Sequence, residues 1–380
     1  MSTPSRRLFA SSAHMPGKTR WQQARQFVMQ LSCIAALSLS ASTVSAQAAG
    51  TGKTLLEQAA NKLVQQGFQG AILAARGDTI LFQQSYGRFG DLQRSFRYAS
   101  ITKQMTAIIL MQEVEAGRLQ LDERLGKYWP DFPNKDARAV SLRQLGTHYS
   151  GLYNENAIAD FHMADAKRGD NMQTFASTVC ADKMNAKPGA RFDYNNCDYL
   201  VLGALLERTT KKSFAQLLAE RIFKPAGMTQ SGLYNAAKPD DAQHLHGILD
   251  GQPEPAVNFA SYGAAGSAYG NLRDLYAFQR SFMQGKYLSA AYRSQMLKPN
   301  QVGGALGVWS YPFKAAGQNK ALQIVERQGW IAGVRLACLM DMEQQHLLLI
   351  ISANSDFDMN QTWANKGPAA DLLTALINQD

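Results

Sequence analysis

Ser100 and Lys103, three residues apart in Phe96-Arg-Tyr-Ala-Ser-Ile-Thr-Lys103, stand first among the groups able to do chemistry in this chain. The apolar run that follows, Gln104 to Ala116, has helical patterning. A helix opening near Ser100 sets the hydroxyl and the amine on one face, a nucleophile beside a base. The helix start also turns free backbone N–H groups and a positive dipole end toward a bound acyl group, which suits the negative charge that develops there. Acyl transfer is the chemistry this spacing favours. Alone, the pair reads more simply as a capping serine and a solvated first-turn lysine, so the rest of the chain decides.

The elements that must carry this pair can be sketched from periodicity. Lys53 to Gln66 repeats like a helix, and Gly70 to Gln84 reads as two strands turning at Arg76-Gly-Asp78. From Leu119 to Asn258 the pattern is helical and loopy, broken at Tyr128-Trp-Pro-Asp-Phe-Pro-Asn134 and Lys187-Pro-Gly189. Strand patterns return at Ala305 to Phe313, Ala321 to Gln328, Val334 to Asp341 and His346 to Ser352, and Pro368 to Asn378 closes the chain as an amphipathic helix. Early and late strands must then pair across the middle. The expected fold class is α/β (α+β): one antiparallel sheet flanked by helices, with an inserted helical domain. The expected division is a leader over 1–46, then a domain over 47–380 in which 47–118 and 259–380 form the α/β part and 119–258 the mainly helical insertion. No internal repeat or low-complexity segment shows in the mature part.

Several landmarks follow in a telling order. They are the Ser100 motif, Glu113-Val-Glu-Ala-Gly-Arg-Leu-Gln-Leu-Asp122, Val140-Ser-Leu-Arg-Gln-Leu-Gly-Thr-His-Tyr-Ser-Gly-Leu152, and Pro188-Gly-Ala-Arg-Phe-Asp-Tyr-Asn-Asn-Cys-Asp-Tyr-Leu-Val-Leu-Gly203. From about residue 55 onward the chain resembles the serine β-lactamase and penicillin-binding-protein family, most of all its class C and DD-peptidase-like branch. The resemblance implies a β-lactamase/transpeptidase-like fold, with Tyr194 and Asn196 as the Tyr-x-Asn motif. A serine hydroxyl needs a partner to take its proton and later return it, and a desolvated lysine or a phenol beside a cation can be tuned for this. Lys103 and Tyr194 are assigned that work as a pair. Asn196 is expected to donate a hydrogen bond to a substrate amide or to Lys103; as a plain helix cap it would do neither.

The resemblance further aligns Arg327-Gln328-Gly329 with a strand-edge Lys-Thr-Gly or His-x-Gly. It implies that the N–H groups of Ser100 and Trp330 form an oxyanion hole and that Gly329 lets a substrate backbone lie close. Arg327 keeps a cation beside Tyr194, but its charge is permanent and its fork is planar. Gln328 removes the hydroxyl offered to a substrate carboxylate, which puts β-lactam turnover in question. The expected substrate is a small ester or amide, with D-amino-acid peptides of the cell wall first and carboxylesters next. A non-catalytic ligand binder that kept the fold is the rival from another class, and a wall-bound structural protein a weaker third. Gly266 to Asp274 resembles a segment on the far side of the site and is read as structural. No cofactor or metal is called for.

Composition bounds the rest. The chain has 380 residues, 46% of them hydrophobic, which suits a globular protein with a sizeable core. Its formal charge of +9 includes Arg6, Arg7, Lys18, Arg20 and Arg25, with no acid among residues 1–46. Without those five it is mildly basic and carries no basic run with interleaved aromatics, so nucleic acid is not an expected partner. Residues 1–46 read as a secretory signal with an apolar core from Phe27 to Leu39 and small residues up to Ala46. The core is too short and serine-rich for a stable membrane span. The protein is therefore expected outside the cytoplasm, secreted or periplasmic, in an oxidising compartment. Cys338 reads as a buried thiol, and whether Cys180 and Cys197 pair stays open. His148 is expected to pack under the site, and His244 and His246 to be loop residues. The oligomeric state is not legible.

Overall fold

His346–Ser352 carries seven residues in a row that are all buried, the mark of a strand covered on both faces. It forms the middle of the molecule. The computed structural model describes residues 54–155, 161–163, 171–235, 244–359 and 361–379; the leader expected over 1–46 lies outside them.

Six strands build the main sheet: β1 (Gly70–Arg76), β2 (Thr79–Tyr86), β3 (Trp309–Phe313), β4 (Leu322–Ile331), β5 (Val334–Asp341) and β6 (His346–Ser352), in the order β2-β1-β6-β5-β4-β3. The pairings between neighbours are all antiparallel. The early hairpin meets the late strands through β1 and β6, from Gly70 opposite Ser352 to Arg76 opposite His346. Alternation along β1 sends Ala71, Leu73 and Ala75 to one hydrophobic cluster and Ile72 and Ala74 to the other. One layer is made by α1 (Leu55–Gln65) and, at the C-terminal end, the helix Pro368–Ile377, whose apolar residues share a cluster with Ile72, Leu348 and Ile350. The opposite layer contains α2 (Ile101–Glu115) and α3 (Asn196–Thr210), packed with Leu347, Leu349 and Ile351.

Amphipathic α1 buries only Leu56, Ala60 and Leu63, whereas α2 buries Ile101 to Met111 without a break. A helix buried on every face belongs in a core. That places its first turn, with Ser100 and Lys103, deep in the protein. The Cys180 to Cys197 pair is joined in a disulfide, with Cα atoms 5.2 Å apart, and Cys338 is a buried free thiol.

The strand patterns are displaced at two ends. The strand read from Ala305 begins at Trp309, because Asn300 Oδ1 accepts from the N–H groups of Val302 and Gly304. Gly303 and Gly307 there are also left-handed, at φ 79° and 72°. The strand read to Gln328 runs on to Ile331, paired with β5 from Ile324 to its end. Arg327, Gln328, Gly329 and Trp330 thus lie within a strand.

Candidate active site

Among the described residues, only the first half of β4 has a strand partner on its outer side, from Leu322 opposite Phe313 to Glu326 opposite Trp309. Beyond Glu326 that edge faces the start of α2. Arg327 Nε donates to the Ser100 carbonyl at 2.7 Å. Tyr98 is tied down on the other side, its N–H donating to the Ala268 carbonyl at 2.8 Å and its hydroxyl to the Asn271 carbonyl at 3.1 Å. Between these anchors Ala99 adopts a left-handed φ of 48°, a costly conformation for a residue with a Cβ.

Gly329 has a reason other than the expected one. A Cβ at this position would lie 2.6 Å from the Tyr98 carbonyl oxygen and 3.3 Å from Ala99 Cβ. The close-lying backbone that demands glycine is therefore the chain's own.

Ser100 sits at the N-cap of α2, yet its side chain makes no capping bond. Its hydroxyl instead meets the two expected partners. Lys103 Nζ lies 3.2 Å from Ser100 Oγ, and the Tyr194 hydroxyl donates to the same oxygen at 2.8 Å. Lys103 is fully buried and also donates to Asn196 Oδ1 at 2.6 Å and to the Ala265 carbonyl at 2.9 Å. The ammonium has three protons and three acceptors. As a neutral amine it would keep the two bonds to Asn196 and Ala265 and aim its lone pair at Ser100.

Asn196 reverses its expected polarity toward Lys103: it accepts. An ammonium has no acceptor atom, so the carbonyl end of the amide must face it. The Nδ2 end donates to Glu155 Oε1 at 2.6 Å. The capping role falls to the neighbour Asn195, whose side chain accepts from the Cys197 N–H and donates to the carbonyls of Leu152 and Tyr153. Those bonds hold the loop with Tyr194 against the loop with Ser150.

Arg327 Nη2 donates to the Tyr194 hydroxyl at 2.6 Å, so one guanidinium spans Ser100 and Tyr194. Burial raises the Tyr194 pKa, but Arg327 and then Lys103 outweigh it and draw the phenol down to about 8. Burial lowers that of Lys103; Arg327 adds to the fall, while Tyr194 and Glu155 oppose it. Both groups move toward neutral pH from above, as a proton-transfer pair requires. Gln328 points its amide to Glu326 Oε1 at 2.7 Å. The Trp330 indole donates to the Ala332 carbonyl at 2.8 Å, under the Arg335 guanidinium.

His148 packs as expected, its ring 4.4 Å from that of Tyr194. Burial, and after it the charges of Lys103 and Arg327, hold its pKa well below the usual value. Its Nδ1 lies 2.8 Å from Asp198 Oδ2 and receives the Asn195 N–H at 3.3 Å. Burial pushes the Asp198 carboxyl well up. Asp274 accepts from the Gln230 N–H and the Ser231 hydroxyl at the start of its helix. His246 meets Glu254 at 3.2 Å, and no group of three metal-ligand residues exists among the described residues. None of the described helices is long and apolar enough to cross a membrane.

A family model described as Beta-lactamase matches residues 53–365. The chain belongs to the β-lactamase family. Within it, penicillin-binding protein 4 of Amycolatopsis lactamdurans is 31% identical over 249 residues, 60% of this chain and 62% of the relative. The putative penicillin-binding protein PbpX of Bacillus subtilis is 25% identical over 276 residues, covering 64% and 62%. This chain thus spans under two thirds of the length of either relative. Among solved structures, a D-stereospecific amidohydrolase from Streptomyces sp. superposes with a TM-score of 0.69 at 22% identity, over 85% of this chain and 98% of that one. D-amino acid amidase from Ochrobactrum anthropi SV3 does so at 0.68 and 19%, over 85% and 99%. These two share the antiparallel-sheet and helix fold of the β-lactamase family.

Proposed function

We propose that this protein is an exported serine hydrolase that opens a small amide or ester through an acyl-enzyme on Ser100. The observation that carries the reading is the meeting of three side chains from distant segments: Ser100 Oγ within 3.2 Å of Lys103 Nζ and 2.8 Å of the Tyr194 hydroxyl. In the first step Ser100 Oγ bonds to the substrate carbonyl carbon while its proton passes to the Lys103 and Tyr194 pair. The carbonyl oxygen takes up the electron pair, facing the N–H groups of Ser100 and Trp330. The pair then returns the proton to the leaving nitrogen or oxygen as its bond to carbon breaks. Water repeats the sequence on the acyl-enzyme and releases the acid. Asn196 and Arg327 orient the proton carriers, and Gln328, Gly329 and Trp330 flank the acyl group.

Substrates with a D-residue at the acyl position come first, since the Streptomyces and Ochrobactrum proteins are a D-stereospecific amidohydrolase and a D-amino acid amidase. In this reading residues 47–118 and 259–380 supply the sheet, residues 119–258 supply Tyr194 and Asn196, and residues 1–46 are removed on export. Recovery of a mature chain beginning at Gln47 supports export; an intact leader on cytoplasmic protein overturns it.

The test of the chemistry uses a fluorophosphonate and a fluorescent penicillin on folded wild type and on Ser100→Ala. An adduct mapped to Ser100 from either probe, absent in S100A, is the expected result. No adduct from either probe removes the nucleophile and leaves the non-catalytic binder. Hydrolysis of D-phenylalanine amide, D-Ala-D-Ala peptides and aryl esters, measured beside nitrocefin, then ranks the substrates.

A further inference from the structure

We propose that Glu155 is a positioning residue of this site. Its carboxylate fixes the Asn196 amide with the carbonyl oxygen toward Lys103, and its negative charge acts on the Lys103 amine behind that amide. The proposal rests on the serine-hydrolase reading of Ser100.

The argument starts from the asymmetry of an amide. Asn196 can present either end to either neighbour, and the two ends are told apart only by their partners. A carboxylate accepts and never donates, so Nδ2 must face Glu155, at 2.6 Å from Oε1. Oδ1 is then left for Lys103, also at 2.6 Å. The flipped amide would set an NH2 against the amine and an oxygen against the carboxylate. With Asn196 and the Ala265 carbonyl holding two N–H bonds of Lys103, its third direction faces Ser100. Glu155 therefore acts on the nucleophile through two intermediaries and touches no reacting atom.

The charge has a purpose of its own. Glu155 is fully buried, and its Oε2 has no hydrogen-bond partner among the described residues. An unpaired buried carboxylate oxygen is costly, and a neutral glutamine would orient Asn196 without it. The groups that meet its charge are Lys103 on α2, Asp198 in the first turn of α3, and His162, whose Nε2 lies 3.6 Å from Oε1. His162 hydrogen-bonds Ser261 through Nδ1 and stacks on Tyr262 at 3.7 Å, and the Tyr262 hydroxyl senses both Glu155 and Arg97. Burial raises the Glu155 pKa, but His162 and Asn196 outweigh it and keep the group ionised. The Glu155 charge thus opposes that of Arg327 at Lys103, favouring the proton there where Arg327 disfavours it.

The experiment follows the rate of Ser100 labelling by the fluorophosphonate against pH in wild type, Glu155→Gln and Glu155→Ala. Gln keeps an acceptor for Asn196 but drops the charge, so the proton carriers lose an attraction for their protons and the acid limb moves to lower pH. One unit below the wild-type midpoint, the rate of E155Q relative to wild type should exceed its value at the optimum by about threefold. E155A loses the acceptor as well and should label at least about tenfold more slowly at every pH. An E155Q profile that superimposes on wild type, or moves to higher pH, overturns the proposal. Should E155Q fail to fold by circular dichroism, Glu155→Asp replaces it. That variant keeps the charge and stretches the bond, so the rate falls with the limb unmoved; an unchanged rate or a displaced limb overturns the proposal. Wild type that takes no label sinks the hydrolase reading instead, so the two failures are distinguishable.

Discussion

At the scale of single residues, Arg327 is the sharpest departure from a Lys or His at its position, and its consequences can be measured. It lowers the affinity of both Tyr194 and Lys103 for their protons. Replacing it by glutamine lets both pKa values rise, so the limb on which the rate climbs with pH should shift upward whichever group is the base. Arg327→Lys keeps the charge but cannot serve Ser100 and Tyr194 from one planar fork. It should leave the limb near its wild-type position and slow acylation about tenfold. A limb that stays put in R327Q would separate Arg327 from the proton carriers. Ser100, Lys103, Tyr194 and Arg327 were legible in the sequence because each belongs to a motif with fixed spacing. Glu155 and the polarity of Asn196 were not. An acid in a loop announces nothing, and the direction of a hydrogen bond depends on which partner the fold brings to it.

At the scale of elements, β4 and the first turn of α2 hold the site between them, and Gly329 sets how closely they approach. Gly329→Ala places a methyl 2.6 Å from the Tyr98 carbonyl oxygen. That is backbone, fixed in turn by the Tyr98 bonds to Ala268 and Asn271, so the strand must retreat. The overpacking should cost about 1–3 kcal/mol in a denaturant titration. It should also lengthen the Arg327 contact with the Ser100 carbonyl and cut the labelling rate of Ser100 more than the stability loss alone explains. A stable, fully reactive G329A would show that the approach of these elements is not what positions the serine. The periodicity of the late strands gave the existence of all four, since alternation survives in sequence. It missed where β3 starts and where β4 ends, because those limits come from the Asn300 turn and from pairing with β5.

At the scale of the whole molecule, the sheet separates two cores, and this separation should be visible as a separation of stability from activity. Leu348 and Leu349 are neighbours on the fully buried β6, but Leu348 belongs to the cluster under α1 and Leu349 to the cluster under α2. Met105 lies two residues after Lys103 in that second cluster. Leu348→Ala and Met105→Ala each leave a cavity in a packed core and should each cost about 2–5 kcal/mol in unfolding. Their effects on Ser100 should differ. The cavity of L348A opens on the far side of β6, with the sheet between it and the first turn of α2, so labelling kinetics well below its melting temperature should match wild type. M105A loosens the turn that holds Lys103 and should slow labelling severalfold. Equal kinetic losses in the two variants would mean that the sheet transmits strain rather than insulating the site, and that the layered arrangement does not by itself protect the geometry around Ser100.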